Sequence, residues 1–166
     1  MKRLGILLAA VVVVAAGWSS WHSDRRRIDR RLERLERACE KQGPSSALSL
    51  LNRSRTLLDS FAPGFVVSAH PYAGTISDPR ELVQAVEGYR GRAELVRIRD
   101  TDRSLRIGKQ GTAEMSVVFV VQGRERGGGP GGARFRANLF WVKGDGGWKI
   151  RDLEIVQVLE NRGLFP

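Results

Sequence analysis

The sequence has little of what small metal-binding or disulfide-linked domains depend on. Its 166 residues include one cysteine, Cys39, and two histidines. A single cysteine excludes an intrachain disulfide and a cysteine-rich metal site. Neither histidine has another histidine or a carboxylate at a sequence spacing that would complete a metal site or a catalytic dyad with it. The sequence therefore predicts neither a metal ion nor a cofactor.

Blocks of like charge are also absent, although the chain is strongly basic. The net charge is +10, from 28 lysines and arginines against 18 acidic residues. The basic residues are mixed with acidic ones and have no aromatic side chains interleaved among them, a pattern that disfavours nucleic-acid binding. This excess of basic residues is compatible with a role in solubility, or with attraction of the protein to an anionic membrane surface.

Long apolar runs are missing except at the N-terminus. Lys2 and Arg3 precede an apolar stretch from residue 4, and Trp18 and Trp21 extend it to about 20 residues, the length of a membrane-spanning helix. A cleaved signal peptide is the alternative, because small residues at 15–17 could form a cleavage site. We expect residues 1–23 to be a single-pass signal-anchor, with residues 4–21 in the inner (cytoplasmic) membrane.

The side of the membrane on which the domain lies is predicted by two opposing signals. The Met-Lys-Arg head before a short apolar run is typical of exported chains and favours an extracytoplasmic domain. The arginines at positions 25–31 favour the cytoplasmic side by the positive-inside rule. We expect the extracytoplasmic arrangement.

A first helix is predicted from Asp24 to Gln42, with Asp24 as its N-cap and Gly43-Pro44 as its stop. Its apolar residues recur at spacings of four, three and four: Ile28, Leu32, Leu35 and Cys39. This stripe can pack on the sheet of its own domain, or it can form a coiled coil in which Cys39 crosslinks two chains. Two heptads are too few to argue for a coiled coil, so the first interpretation is favoured.

Two more helices and a short strand follow. A second helix is capped by Ser45 or Ser46, and a third begins at Asp78-Pro79 and ends at Gly88 or Gly91. Between them, residues 65–70 are predicted as a strand with Thr75-Ile76 returning beside it. Residues 94–107 then form a long strand interrupted at Asp100–Arg103.

The last third of the chain predicts antiparallel strands, because apolar residues alternate through 115–122 and 134–141. Asp145-Gly146 predicts a tight type I′ turn, which sets Trp141 opposite Ile150 and Leu139 opposite Asp152. The apolar phase then slips by one residue on the final strand. This slip predicts a bulge near Arg151–Leu153.

This order of elements resembles the nuclear-transport-factor-2-like (NTF2-like) superfamily, which includes SnoaL-like cyclases. The resemblance covers Asp24 to Leu159 and rests on Gly-Thr-Ala-Glu-Met-Ser-Val at 111–117 and Gly-Gly-Trp-Lys-Ile-Arg-Asp-Leu at 146–153. It implies an α+β fold in which three N-terminal helices pack on a strongly curved, mostly antiparallel sheet, forming a cystatin-like cone. The domain would cover 24–160, with a tail at 161–166.

The resemblance also implies a conical pocket, for which four residues are candidates: His70, Tyr72, Trp141 and Asp152. The predicted register sets Asp152 on the face of Trp141, where burial would raise its pKa and make it a usable general base. Alternatively, Asp152 lies on the bulge and faces solvent. His70 and Tyr72 would line the mouth of the pocket, and Trp141 is either pocket wall or simply core.

Two functions are compatible with these observations. One is a membrane-anchored, non-catalytic module for interaction, assembly or apolar-ligand binding, with a protein partner in a membrane complex or a second copy of the chain. The other is a small SnoaL-like lyase or isomerase that uses Asp152 as general base on an apolar substrate. The absence of a second polar group to accompany Asp152 favours the non-catalytic module.

Overall fold

A computed structural model of the chain describes residues 22–70 and 74–162. The predicted anchor at 4–21, Tyr72 and most of the predicted tail lie outside these residues. Within the described ranges, no helix is long and apolar enough to cross a membrane.

Helices and strands occupy most of the described ranges. The helices are α1 (22–39), α2 (Ala47–Asp59) and α3 (Pro79–Arg92). The strands are β1 (Lys41–Gln42), β2 (Phe61–Ala69), β3 (Thr75–Ile76), β4 (Ala93–Ile107), β5 (Thr112–Glu125), β6 (Pro130–Gly144) and β7 (Gly147–Arg162). The predicted helices are all present. The short strand β1 was not predicted, and β7 runs into the segment predicted as a tail.

The strands form one sheet in the order β1-β4-β5-β6-β7-β2-β3. Strands β4 to β7 are a continuous antiparallel meander, as predicted, and β2 joins its edge in parallel with β7. The sheet is therefore mixed. The helices cover one face of it, which confirms the α+β architecture expected from the sequence.

Two helix starts follow from local capping chemistry. The Ser46 hydroxyl accepts a hydrogen bond from the Ser49 backbone N–H at 3.2 Å. The Asp78 carboxylate accepts from the N–H groups of Arg80 and Glu81 ahead of Pro79 in the first turn of α3. Helix α3 continues through Gly88 and Gly91 to Arg92, so its predicted end was too early.

Helix α1 packs its apolar stripe against the sheet of its own domain. Ile28 and Leu32 are fully buried and belong to the main core cluster with Trp141 and Ile150. The coiled-coil interpretation is therefore wrong, because the stripe that would meet a second chain is already covered. Asp24 is not an N-cap either, since the helix already includes residue 22.

The β6–β7 hairpin has the predicted bulge but not the predicted register beyond it. Trp141 lies opposite Ile150 as expected, whereas Asp152 lies opposite Phe140, and Leu139 opposite Leu153. Arg151 is the extra residue, and a shift of one residue moves Asp152 to the other face of the sheet. The prediction that Asp152 pairs with Leu139 was therefore wrong.

The turn of this hairpin is tight, as predicted, but of another type. The positive φ falls on Gly147, at 87°, and not on Asp145 or Gly146. A left-handed glycine directly after the two central residues is typical of a type I turn with a glycine bulge. The turn still sets Lys143 opposite Trp148.

Strand β4 is interrupted where the sequence predicted. Its pairing with β5 jumps from Thr101–Val118 to Ser104–Ser116, and Asp102 has a φ of 48°. The bulge directs Arg103 to helix α1, where its guanidinium donates to Asp29 at 2.6 Å. This ion pair joins the edge of the sheet to α1.

Candidate functional site

The helices and the inner face of the sheet enclose a cavity of about 190 Å³. Apolar side chains from every layer line it, including Leu35 of α1, Leu57 of α2, Leu82 of α3, Phe119 of β5 and Phe135 of β6. An apolar cavity of this kind favours an apolar occupant over water.

The cavity extends to the molecular surface. Its deep wall is built by buried side chains such as Leu35 and Phe61, whereas Val67, Val86 and Ile155 also line it and are only half-buried. These half-buried residues come from β2, α3 and β7, and they mark the mouth. A small molecule can therefore enter without unfolding the core.

One residue with an ionisable carboxyl, Glu36 of α1, contributes to the wall of this cavity, and its buried carboxyl lies directly behind the apolar surface. Burial raises the pKa of Glu36 to about 8, and the neighbouring Asp100 carboxyl adds to the rise by its charge and by a hydrogen bond. Glu36 Oε1 is buried and accepts no hydrogen bond from any donor in the described residues. Two carboxyl groups can share a hydrogen bond only if one of them is protonated. Glu36 therefore holds a proton at neutral pH.

Asp100 lies beside Glu36, just before the β4 bulge. It lies opposite Phe119 on the inner face of the sheet, and its Oδ2 accepts from Arg103 Nε at 2.6 Å. Arg103 bridges Asp100 and Asp29, and these carboxylates raise the pKa of its guanidinium despite partial burial. Because Arg103 compensates Asp100, the proton of the pair resides on Glu36.

Cys39 also lines the cavity, one turn after Glu36. Burial raises the pKa of its thiol to about 12. The thiolate is the nucleophilic and metal-binding form of cysteine, and it is not populated here at neutral pH. Among the described residues, no group of three or more histidine, cysteine or acidic side chains is arranged to hold a metal ion.

Two of the sequence-predicted site residues lie away from the cavity. Trp141 is fully buried in the core beside Ile150 and does not line the cavity. Asp152 is exposed on the opposite face of the sheet, in a groove it shares with Asn138 and Glu154. The expectation that Asp152 faces the interior is corrected by its pairing with Phe140. The burial that would have made it a base is absent.

Of the other two predicted residues, Tyr72 lies outside the described residues and His70 directly follows β2. His70 is exposed, with Nε2 4.0 Å from Glu154 Oε1, and its backbone N–H donates to the carbonyl of Ile155 at 2.8 Å. Since Ile155 lines the cavity, His70 is next to its mouth. The three candidates that the structure describes are thus not brought together around one site.

Glu36 was missed by the sequence-based reasoning, although the sequence contains a signal for it. Leu32 and Leu35 define the buried face of α1, and Glu36 follows Leu32 by four residues, so its side chain projects from the same face. A carboxyl on the apolar face of an amphipathic helix is either paired or functional. Its partner Asp100 is distant in sequence, which is why the pair was not recognised.

Comparison with known proteins supports the fold. No family model matches the chain, and no curated protein matches it. Solved structures do: a provisionally named scytalone dehydratase from Novosphingobium aromaticivorans DSM 12444 superposes with a TM-score of 0.72 at 15% identity, over 86% of this chain and 89% of that one.

Two further structures from Novosphingobium aromaticivorans match similarly. An NTF2-like protein with a cystatin-like fold has a TM-score of 0.66 at 11% identity, over 86% of this chain and 88% of that one. A provisionally named aromatic ring hydroxylase has a TM-score of 0.66 at 13% identity, over 84% and 93%. Identities this low establish architecture and not activity. The chain therefore has the NTF2-like, cystatin-like cone fold.

Proposed function

We propose that the domain binds a small, neutral and largely apolar ligand in the cone cavity, with protonated Glu36 as the polar contact. The observation that carries this proposal is a carboxyl with a pKa of about 8 in the wall of an otherwise apolar cavity of about 190 Å³. For comparison, an engineered apolar cavity of roughly 150 Å³ binds benzene. The volume suits one ring or a short branched chain.

The charge around Glu36 supports a specific ligand class. The single O–H of protonated Glu36 is donated to Asp100, so the unpaired Oε1 is left to accept a hydrogen bond from a neutral donor such as a ligand hydroxyl. The Asp100 carboxyl beside it disfavours an anionic ligand. The remaining wall has no charged side chain with which a cation could pair. We therefore favour a ring-sized alcohol or phenol.

The location of this binding domain is also a proposal. The apolar run at 4–21 and the Lys2-Arg3 head support tethering to the cytoplasmic membrane, with the domain on the extracytoplasmic side. Such a tether would place the cavity close to the bilayer, from which apolar compounds partition. A protein partner or a second copy of the chain would contact the exposed outer face of the sheet.

Binding is tested with 1-phenylethanol as the probe and the full-length protein in maltoside micelles. The probe should shift the methyl resonances of Ile98 and Ile155, which line the cavity, and leave those of buried core isoleucines such as Ile28 unchanged. Substitution Val86→Phe fills the cavity and should abolish these shifts. The matched control is Val66→Phe, because Val66 is exposed and does not line the cavity. Equal shifts in the two variants, or none in the wild type, would refute the proposal.

A second candidate function is acid–base catalysis, and the same carboxyl pair favours it. A carboxyl with a pKa near the working pH both takes and returns protons efficiently. The ionised fraction of Glu36 would remove a proton beside a ring carbonyl to give an enolate, and the Glu36 carboxylic acid so formed would return that proton to another carbon, as in an isomerase. Two of the similar structures are provisionally named as enzymes. In this version Glu36, and not Asp152, is the base.

Catalysis is distinguished from binding by proton exchange. In deuterium oxide, an acid–base catalyst accelerates exchange of the protons adjacent to the carbonyl of 2-tetralone, whereas a binding protein does not. Substitution Glu36→Gln should abolish that acceleration, and Asp152→Asn should preserve it. If the wild type binds the probe of the binding test but does not accelerate proton exchange in 2-tetralone, the domain is a binding module.

A further inference from the structure

A second pocket, separate from the cone, lies where α1 crosses the β6–β7 hairpin. Its volume is about 240 Å³, and it is lined by four arginines and by the hairpin residues Gly146, Gly147 and Trp148. The arginines are Arg27, Arg30, Arg31 and Arg34. Their spacing of three, one and three residues places them on one side of the helix. We call this site the arginine pocket.

One of the four arginines holds the pocket together. Arg31 donates from Nε to the Trp148 carbonyl and from Nη2 to the Gly146 carbonyl, both at 3.1 Å. Its Nη1 donates to Asp59 Oδ2 at 2.6 Å. These bonds compensate the charge of Arg31 and fix the hairpin against α1. The pocket is therefore formed without any ligand.

The positive charges of the other three arginines are less fully compensated by protein groups than that of Arg31. Arg27 has Asp24 only at 4.0 Å, and Arg30 donates only to the backbone carbonyl of Arg26. Arg34 has neither a hydrogen bond nor an ion pair with any described residue. No carboxylate lines the pocket. Three cationic side chains thus line the same pocket with fewer partners among the described residues than Arg31 has.

The chemistry of the lining selects the ligand. Guanidinium groups present planar pairs of N–H donors that match the oxygens of a phosphate, and several arginines on one face can engage a single phosphate group. A carboxylate has fewer acceptor oxygens to share among three arginines. We propose that the arginine pocket binds a phosphate group.

Two sources could provide this phosphate, namely a free phosphate compound and an anionic lipid headgroup. Helix α1 is described from residue 22, directly after the apolar run at 4–21, so a lipid headgroup is available if that run lies in a bilayer. The binding chemistry is the same in both cases. The proposal does not depend on the ligand of the cone cavity.

The test is protection of individual arginines from phenylglyoxal, followed by mass spectrometry. The full-length protein is kept in maltoside micelles with chloride as the only anion, and either inorganic phosphate or phosphatidylglycerol is added at constant ionic strength. Arg26 and Arg37 are exposed residues of α1 outside the pocket and serve as internal controls. We expect Arg30 and Arg34 to be modified about tenfold more slowly once phosphate is bound, while the controls are unaffected.

A variant pair separates the pocket from general positive charge. Arg34→Gln should remove most of the protection of Arg30, whereas Arg37→Gln, which removes the same charge from the same helix, should leave it unchanged. Protection by inorganic phosphate would assign a free phosphate compound, and protection by phosphatidylglycerol alone would assign a lipid headgroup. If neither reagent protects Arg30 and Arg34 more than Arg26 and Arg37, the proposal is overturned.

Discussion

Glu36 on α1 shares a hydrogen bond with Asp100 on β4 at the wall of the apolar cavity. Arg103, which follows the β4 bulge, bridges Asp100 and Asp29 and so ties this part of the sheet to the helix. Burial of Glu36, with the added effect of the Asp100 carboxyl, keeps a proton on the pair at neutral pH. This proton is the main chemical feature of the cavity.

The proton on Glu36 makes stability depend on pH. The folded pKa is raised to about 8, so between the ordinary glutamate pKa and pH 8 the folded state holds a proton that the unfolded state has lost. Stability of the wild type therefore falls as pH rises through this window. Glu36→Gln should remove that slope and be the more stable variant at pH 8, by roughly 1–2 kcal/mol once partial exposure is taken into account.

Urea unfolding at several values between pH 5 and pH 9 measures this effect. Glu33→Gln is the control, since Glu33 is an exposed carboxyl on the same helix, and it should keep the slope of the wild type. Parallel pH profiles for the wild type and Glu36→Gln would show that Glu36 is ionised in the folded state.

A second prediction concerns the ion pair between α1 and the end of β6. Lys143 Nζ lies 3.0 Å from both carboxylate oxygens of Asp24, which is itself buried. Burial by itself would raise the pKa of Asp24, but the neighbouring Trp148 and Lys143 outweigh it and lower the pKa. Lys143→Met should therefore cost roughly 1–3 kcal/mol at neutral pH, because it leaves a buried carboxylate without its cation.

The stability contributed by the Asp24–Lys143 ion pair changes with pH in the opposite direction to that contributed by Glu36. A lowered carboxyl pKa contributes stability above the unfolded pKa, and this contribution is lost as pH falls through the folded value. The destabilisation by Lys143→Met should thus be full at pH 7 and shrink below pH 4. A cost that is the same at pH 7 and pH 3 would assign the effect to packing of the lysine stem instead.

A third prediction separates Asp152 from the cavity. Asp152 is exposed and lies opposite Phe140 on the outer face, so Asp152→Asn should change the free energy of unfolding by less than about 0.5 kcal/mol. It should leave the binding of 1-phenylethanol unchanged. A tenfold loss of binding in this variant would mean that the outer groove is the ligand site.

Features that depend on local chemistry were predictable from the sequence. Ser46 and Asp78 cap their helices with side chains that reach only two or three residues along the chain. The slip of the apolar pattern near Arg151 likewise revealed the bulge, because a period of two cannot be shifted without an extra residue.

Features that depend on distant partners were not predictable. The face on which Asp152 lies depends on which residue of β7 is extra, and a count outward from the turn cannot identify that residue. Glu36 resembles any other charge of an amphipathic helix until the fold brings Asp100 of β4 beside it. The arginine pocket needs both α1 and the hairpin, whereas along the sequence its arginines resemble signals for membrane orientation.

The central claim is that Oε1 of protonated Glu36, whose O–H is donated to Asp100, accepts a hydrogen bond from the hydroxyl of a neutral ligand inside the cone. The most direct measurement is the affinity of the full-length protein for 1-phenylethanol from pH 6 to pH 9.5, in parallel with Glu36→Gln. We expect wild-type affinity to rise about five- to tenfold as pH rises through about 8, because an ionised carboxylate is a stronger acceptor, and affinity of the variant to stay constant with pH. Wild-type affinity that does not change with pH, or an identical change in both proteins, would contradict the claim.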